Sequence, residues 1–262
     1  MKTNILITAH SEKGTRERNE DFYSVQTNKN GQVLAIICDG IGGDEDSQIA
    51  SKTVVLNFES LFKKKKKIIN FVSFYNTVLK KTLKIINAKS KKNSKMGTTV
   101  CVVLITGNKA EMANIGDSRI YYFNNANKEW KQKSFDHNLY NFILLKFQNQ
   151  READPTMIDI IKEKQKKTLA ENKDNLLSLT KCIETGSKIS QDDSYYKVVE
   201  NLSSDDLIYL CSDGVYNWIK LDKINAIIEQ NSNYKIIANK VVNEAFTNKS
   251  NDNMTAIILK IK

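Results

Sequence analysis

Cysteine is scarce and widely spaced in this chain. The 4 cysteines, at positions 38, 101, 182 and 211, show no paired spacing, and three of them lie within apolar runs. Cysteines in such runs behave as small hydrophobic residues, and this pattern does not predict a disulfide framework. We therefore expect free thiols in a reducing interior.

Long apolar runs are also missing. A membrane-spanning helix needs about 18 or more consecutive apolar residues, and no such run occurs. The amino-terminal residues MKTNILITAHSEKG contain an apolar stretch that is too short for a signal peptide. These absences predict a soluble protein with a cytoplasmic localisation and no membrane partner.

Arginine is rare although the chain is basic. The net charge is +10, from 40 basic against 30 acidic residues, and the only arginines are Arg16, Arg18, Arg119 and Arg151. Surfaces that read nucleic acid favour the planar guanidinium over lysine, so we expect no nucleic-acid partner. The lysine run at residues 63–67 is interpreted as a solvated connection between two helices.

Apolar periodicity predicts short strands and two pairs of helices. The strand-like runs are rich in β-branched residues and lie at residues 4–10, 32–38, 98–106, 110–114, 119–123, 206–211 and 253–261. The helical stretches lie at residues 47–62, 68–88, 221–230 and 234–247. This order indicates an α+β sandwich with helices that cover the sheet faces.

Residues 138–191 interrupt this pattern. The polar runs READPTMID and KEKQKK occur here, together with the only proline, Pro155. The apolar pieces FILLKF and NLLSLTKCI are brief. We expect an excursion or flap from the main body that is partly helical.

Glycine is rare enough, at 10 residues, that its positions are informative. Three short motifs place Asp beside Gly: CDGIGG at 38–43, IGDSR at 115–119 and CSDGV at 211–215. An isolated Asp-Gly pair is typical of a turn. Two copies that follow the similar apolar runs LAIICDG and LIYLCSDG instead predict buried strands that end in Asp39 and Asp213.

Acidic residues at strand ends predict a metal site. If the two strands lie in one sheet, Asp39 and Asp213 converge, and converged carboxylates raise each other's pKa unless a cation lies between them. Further acids fit the same logic: Glu20 and Asp21 lie just ahead of a short apolar stretch, Asp252 immediately precedes the final predicted strand, and Asp117 completes the set. This oxygen-only set favours Mg²⁺ or Mn²⁺ over Zn²⁺. Asp117 also has a second interpretation, as a turn residue that closes a hairpin between residues 110–115 and 119–123.

Seven short motifs occur in one order along the chain. They are R-x-x-N-E-D at 16–21, D-G-x-G-G at 39–43, G-T-T at 97–99, G-D-S-R at 116–119, D-H at 136–137, S-D-G at 212–214 and D-N-x-T at 252–255. Together they resemble the metal-dependent protein phosphatases of the type 2C family, in particular its bacterial branch. The resemblance implies one domain over residues 1–262 with a variable flap at about 138–191. It also implies a four-layer αββα sandwich, in which two antiparallel sheets are flanked by helix pairs and a metal centre lies at one end.

The resemblance also implies a set of metal ligands. Asp39 would bridge two ions and Gly40 would ligate one of them through its carbonyl. Asp213 and Asp252 would complete the coordination of the other ion, and Asp117 would support a third ion. The expected cofactors are therefore two or three Mg²⁺ or Mn²⁺ ions.

Other positions receive roles from the same resemblance. Arg16 would bind the substrate phosphate, while Glu20 and Asp21 would act through metal-bound waters. Two positions depart from the family pattern. Ile41 replaces a histidine that can act as general acid in animal members, and Asp44 stands where bacterial members commonly have histidine. The general acid is therefore unassigned.

The expected function is hydrolysis of phosphoserine and phosphothreonine in proteins by a metal-bridging hydroxide. The expected partners are phosphorylated proteins and an opposing intracellular serine/threonine kinase, and the expected assembly is a monomer. One alternative is a two-metal phosphodiesterase or nuclease, which would bind nucleic acid in a salt-dependent way. A second alternative is a non-catalytic phosphoprotein-binding module on the same fold. His10 and His137 are interpreted as structural.

Overall fold

Thirteen strands are found in the described residues, which are 4–42, 45–90, 96–188 and 193–262 of this computed structural model. They are β1 (Ile5–Glu12), β2 (Phe22–Thr27), β3 (Val33–Cys38), β4 (Gly40–Ile41), β5 (Gly97–Thr98), β6 (Val100–Thr106), β7 (Lys109–Ile115), β8 (Arg119–Asn124), β9 (Glu129–Gln132), β10 (Ile183–Glu184), β11 (Tyr195–Val199), β12 (Leu207–Cys211) and β13 (Met254–Ile261). Gly43 and Asp44, which belong to the first glycine motif and its flank, lie outside the described residues.

The strands form two large sheets and one small one. One large sheet has the order β1-β13-β12-β8-β9, and the other has the order β11-β7-β6-β3-β2. The small sheet has the order β10-β5-β4. Neighbouring strands pair antiparallel in all three sheets.

Seven α-helices accompany the sheets in the same ranges. They are α1 (Glu45–Lys64), α2 (Phe71–Lys89), α3 (Leu139–Ala153), α4 (Ile158–Glu171), α5 (Asp213–Tyr216), α6 (Leu221–Glu229) and α7 (Ile237–Thr247). None of the helices in the described ranges is both long and apolar enough to cross a membrane.

Alternating side chains of the central strands build three apolar cores. In β3, Leu34 and Ile36 cluster with residues of α1 and α2, whereas Ala35 and Ile37 cluster with β12 and β13 of the facing sheet. On the outer side of that facing sheet, Tyr209 packs with α6 and α7. Three cores separate four layers, which confirms the predicted αββα sandwich.

The second helix begins later than predicted. The apolar periodicity predicts a helix that begins at Ile68, but α2 begins at Phe71. Asn70 caps it, and its side chain accepts a hydrogen bond from the Ser73 amide at 2.8 Å. The buried Gln32 holds the Ile68 backbone on both sides, accepting from its N–H at 2.7 Å and donating to its carbonyl at 2.8 Å. These bonds keep Ile68 outside the helix, although its side chain is buried.

The segment at 138–191 contains a helical hairpin, as its partly helical interpretation expects. Helices α3 and α4 pack through a small core of Ile143, Phe147 and Ile161. The segment returns to the main body at β10, where Ile183 pairs with Thr98 of β5. The polar run KEKQKK lies within α4, and READPTMID forms the connection between α3 and α4 with the adjoining helix ends.

Candidate active site

Asp39 and Asp213 follow two fully buried strands. Every residue of β3 and of β12 is buried, and each aspartate is the first or second residue after its strand. The two strands lie in facing sheets, not in one sheet as the sequence argument supposed. The carboxylates still meet at one end of the sandwich, where the charge of Asp213, after burial and Asp21, raises the pKa of Asp39.

Asp21 connects the two sheets at the same end. It precedes β2, whose first residue Phe22 pairs with Cys38, so Asp21 lies beside Asp39. Its Oδ2 accepts hydrogen bonds from Ser212 and Thr255 of the facing sheet, both at 2.7 Å. Only 4% of Asp21 is exposed, and its buried Oδ1 has no hydrogen-bond partner among the described residues.

Asp252 and Arg16 form the rim of the site. The Arg16 Nη2 donates to the Asp252 Oδ2 at 2.8 Å, and its Nε donates to the Asn251 carbonyl at 3.0 Å. The Arg16 side chain is 53% exposed. The guanidinium is therefore held beside the acids while it remains accessible from solvent.

Backbone contacts position the strand ends around the acids. Asn253 accepts from the Glu20 amide at 2.8 Å and donates to the carbonyl of Arg18 at 2.8 Å. The Glu20 carbonyl in turn accepts from the Gly40 amide at 3.2 Å. The loop before β2 is thus fixed to both the Asp39 turn and the start of β13.

The G-T-T motif supports the backbone of Asp39. The Thr99 amide donates a hydrogen bond to the Asp39 carbonyl at 2.8 Å, and the Thr99 Oγ1 accepts one from the Asp39 amide at 3.0 Å. The Thr98 hydroxyl donates a second hydrogen bond to the same carbonyl at 2.9 Å. A Cβ on Gly116 would lie 2.6 Å from the Thr99 side chain, and Gly116 has φ +102°, so this close approach requires glycine.

Asp117 lies where the chain crosses between the two large sheets. It follows β7 of one sheet and precedes β8 of the other, so the hairpin interpretation of Asp117 is wrong. Nearby, Arg119 binds both carboxylate oxygens of Asp136, with a shortest contact of 2.7 Å, and stacks 3.7 Å from the ring centre of Tyr216. This stacked ion pair stabilises the crossover beside Asp117.

His137 has a structural environment. The Gly116 amide lies 3.1 Å from His137 Nδ1, and the His137 amide donates to the Gly116 carbonyl at 3.0 Å. Burial lowers the pKa of His137. The Nδ1 also lies 3.0 Å from the Gly116 carbonyl oxygen, so the Gly116 backbone holds this ring nitrogen in either tautomer. A neutral imidazole held in this way is poorly suited to protonate a leaving group.

The acids at this end of the sandwich destabilise one another's charged forms. Burial raises the pKa of Asp21 to about 7, with further contributions from Asp213 and Asp252. Burial, then Asp21 and Asp213, raises the pKa of Asp39 well above its ordinary value. Burial, then Asp213, raises the pKa of Asp117 to about 7. A bound cation would stabilise this concentration of negative charge.

The residues fit a hard divalent ion in their chemistry. They offer only oxygen donors, and the Oδ1 of Asp21 is a buried acceptor without a partner among the described residues. Within the part of the chain that the structure describes, however, no group of three or more His, Cys, Asp or Glu side chains is arranged as a ready metal site. The ion pair with Arg16 occupies the Oδ2 of Asp252, so an ion that uses this oxygen would have to displace the Arg16 guanidinium.

A sequence model of the family described as "Protein phosphatase 2C" matches residues 8–243. The chain belongs to the protein phosphatase 2C family. This membership confirms the resemblance that the seven motifs carry.

Relatives and solved structures agree with the family. A Mycoplasma pneumoniae protein that is provisionally named a protein phosphatase is 28% identical to this chain. The match covers 98% of this chain and 96% of that protein. The S. agalactiae serine/threonine phosphatase shares the fold with a TM-score of 0.79 and 21% identity, over 99% of this chain and 100% of the other. The catalytic domain of the serine/threonine protein phosphatase PstP, solved with 2 manganese ions, has a TM-score of 0.72 and 21% identity, with 98% of each chain covered.

The structure adds residues to which the sequence argument gave no role. Ser212, Thr255 and Thr99 occur as letters of the family motifs, but only their contacts with Asp21 and Asp39 show what they do. Asn253 binds the loop between β1 and β2 at three positions, Lys13, Arg18 and Glu20. Their signal in the sequence is a polar side chain at the boundary of an apolar strand, which does not identify its partner.

Proposed function

We propose that this protein phosphatase 2C family member is a Mg²⁺- or Mn²⁺-dependent serine/threonine protein phosphatase. The observation that carries the proposal is the meeting of Asp21, Asp39, Asp213 and Asp252, with Asp117 nearby, at one end of the sandwich. Divalent ions at such a site lower the pKa of bound water and hold phosphoryl oxygens for in-line attack.

The proposed ligand roles follow the contacts of the acids. Asp39 would be shared by two ions, Gly40 would contribute its carbonyl to one of them, and Asp213 and Asp252 would hold the other. Asp117 would support a third ion. Burial and the charges of the neighbouring aspartates, Asp213, Asp117 and Asp252 among them, raise the pKa of Asp39. This charge effect supports these roles, because it requires the carboxylates to lie close together.

The remaining residues act on the substrate and on water. Arg16 binds the phosphate through its exposed guanidinium, whose planar geometry suits two phosphate oxygens. Asp21, oriented by Ser212 and Thr255, accepts a hydrogen bond from water on its Oδ1. Glu20 acts through water at the same loop. Ile41 has no proton to give, so solvent protonates the leaving alkoxide.

The proposed context is that of a monomeric cytoplasmic enzyme. Its substrates are phosphorylated proteins, and it opposes a serine/threonine kinase. The whole chain forms one catalytic unit, with residues 138–191 as a flap. The name of the S. agalactiae neighbour supports the choice of serine and threonine.

Phosphate release from a phosphothreonine peptide tests the proposal. We expect turnover with Mn²⁺, none after EDTA, and a loss of at least about 1,000-fold in Asp39→Asn and Asp213→Asn. Asp159→Asn is the control, because the Asp159 side chain is 98% exposed on α4. Manganese binding measured by calorimetry should weaken in the first two variants only.

Three results would contradict the proposal. Undiminished turnover in Asp39→Asn would show that the ligand assignment is wrong. Phosphopeptide binding without turnover would indicate the non-catalytic module. Hydrolysis of a phosphodiester in preference to the phosphopeptide would indicate the two-metal phosphodiesterase.

A further inference from the structure

The loop that joins α1 to α2 presents a concentrated positive charge. We define the lysine loop as residues 63–70, which comprise the last two residues of α1 and the connection to α2, with five consecutive lysines followed by Ile68, Ile69 and Asn70. All five lysines are exposed. Lys63 lies 3.7 Å from Glu59, and Lys29 on the neighbouring β2–β3 turn adds another cation. The charge is far denser here than the chain average.

The lysine loop is held rigidly by the β2–β3 turn. Asn28 and Asn30 both donate side-chain hydrogen bonds to the Lys66 carbonyl. Gln32 holds the Ile68 backbone through its amide and its carbonyl. Because the backbone is fixed from the inner side, the lysine side chains project outward without a large further loss of backbone entropy on binding.

An apolar side chain stands at the tip of this basic surface. Ile69 is 88% exposed, whereas its neighbour Ile68 is 6% exposed and belongs to the core. The groove beside them has a volume of about 250 Å³ and is lined by Leu61, Phe74 and two of the lysines. This volume is below the usual range of small-molecule pockets, so the feature suits a broad surface better than an enclosed ligand.

The lysine loop lies at the end of the molecule opposite the acids. α1 begins shortly after the Gly42 turn and has 20 residues, so its last turn is roughly 30 Å from its first. β2 and β3 likewise run between the turn that holds the loop and the end that carries Asp21 and Asp39. A partner at the lysine loop would leave the candidate active site facing away from it.

We propose that the lysine loop docks the protein on an anionic lipid surface, with Ile69 inserted at the headgroup level. Lysines are compact point charges that suit a diffuse negative surface, whereas recognition of a defined carboxylate or phosphate favours the arginine fork. A basic cluster with an apolar tip is the pattern of peripheral membrane binding. Peripheral docking needs neither a membrane-spanning segment nor a signal segment, so the absence of long apolar runs does not oppose it.

Vesicle sedimentation tests the docking surface. Phosphatidylcholine vesicles with ~30% phosphatidylglycerol should bind the protein, pure phosphatidylcholine vesicles should not, and binding should fall as salt rises from about 0.1 to about 0.5 M. Each lysine near an anionic surface contributes about fivefold to the partition coefficient. Replacing lysines 64–67 by Gln should therefore weaken binding roughly 100-fold or more.

Matched variants separate the lysine loop from net charge. Replacing lysines 162, 164, 166 and 167 of α4 by Gln removes the same charge from a helix outside the lysine loop and should change binding by less than about threefold. Ile69→Ser should weaken binding about tenfold, whereas Leu177→Ser, at a residue 71% exposed on the 138–191 segment, should not. Hydrolysis of a soluble phosphopeptide should be unchanged in all four variants, which shows that they are folded.

Three outcomes would overturn the docking proposal. The first is the absence of binding to the anionic vesicles. The second is an equal loss in the α4 variant, which would mean that binding follows net charge. The third is binding of polyglutamate without binding of vesicles, which would indicate an acidic protein partner.

Discussion

Ser212 donates a hydrogen bond to Asp21 at 2.7 Å, although the two residues are 191 positions apart in the chain. Ser212 follows β12 of one sheet, and Asp21 precedes β2 of the other. Thr255 donates to the same oxygen at the same distance. The end of the sandwich that gathers the acids is therefore closed by hydrogen bonds between the two sheets.

The pH dependence of stability should report the raised pKa of Asp21. Because its folded pKa is about 7, against 3.8 for the free side chain, the folded state binds the proton more tightly. Stability in EDTA should therefore be highest below about pH 4 for this group and should fall as pH rises towards 7. In Asp21→Asn this fall should shrink by roughly 2–4 kcal/mol, measured by urea unfolding across pH.

Manganese should reverse the loss at high pH. An ion that binds only the folded state raises the free energy of unfolding by mass action. We expect wild-type protein at pH 8 to gain stability with Mn²⁺, and Asp159→Asn to behave as wild type in every condition. A flat stability profile in EDTA would contradict the assigned environment of Asp21.

Arg16→Ala should raise KM more than it lowers kcat. The Arg16 guanidinium lies at the accessible rim of the site, where it can bind phosphate in both ground and transition states. The expected change is about tenfold in KM, from steady-state kinetics with a phosphothreonine peptide. Arg18→Ala, at an exposed position on the same loop, is the control. A fall in kcat alone would place the action of Arg16 in the transition state.

Gly214→Ala should destabilise the protein and weaken metal binding together. A Cβ at Gly214 would lie 2.0 Å from the Asn253 carbonyl oxygen, between the segments that carry Asp213 and Asp252. The clash should cost about 3 kcal/mol or more in the free energy of unfolding.

Gly107→Ala provides the matched control for this clash. Gly107 has φ +59°, and a Cβ built there would have no atom of the described residues within 4 Å. The cost should be only the left-handed backbone strain of about 1–2 kcal/mol. Its metal affinity should equal that of the wild type. Equal effects of the two alanines would contradict the steric argument.

His137→Ala should lower stability without moving the pH–rate profile. The Nδ1 of the imidazole contacts both the amide and the carbonyl of Gly116, and burial lowers the pKa of the ring, which favours the neutral form. We expect a loss of about 1–2 kcal/mol in the free energy of unfolding from the lost hydrogen bond. The alkaline limb of the kcat profile should be unchanged, and its disappearance would identify His137 as the missing general acid.

Local sequence determined much of this protein. The apolar and β-branched content of residues 33–38 and 207–211 is sufficient to predict buried strands, and the acids that follow them are visible by inspection. The order of the seven motifs predicted the family and, through it, the four-layer fold. These features depend on neighbours in the chain, so a linear pattern records them.

Tertiary structure decided how those pieces meet. Only the folded chain places β3 and β12 in facing sheets, gives Asp21 its partners Ser212 and Thr255, and withdraws Ile68 from α2 through Gln32. The fold also fixes the backbone of the lysine loop by hydrogen bonds from the β2–β3 turn and places the loop at the opposite end of the sandwich from Asp21 and Asp39. Each of these contacts joins residues that are distant in the chain, and no local propensity specifies which distant side chain will satisfy a buried polar group.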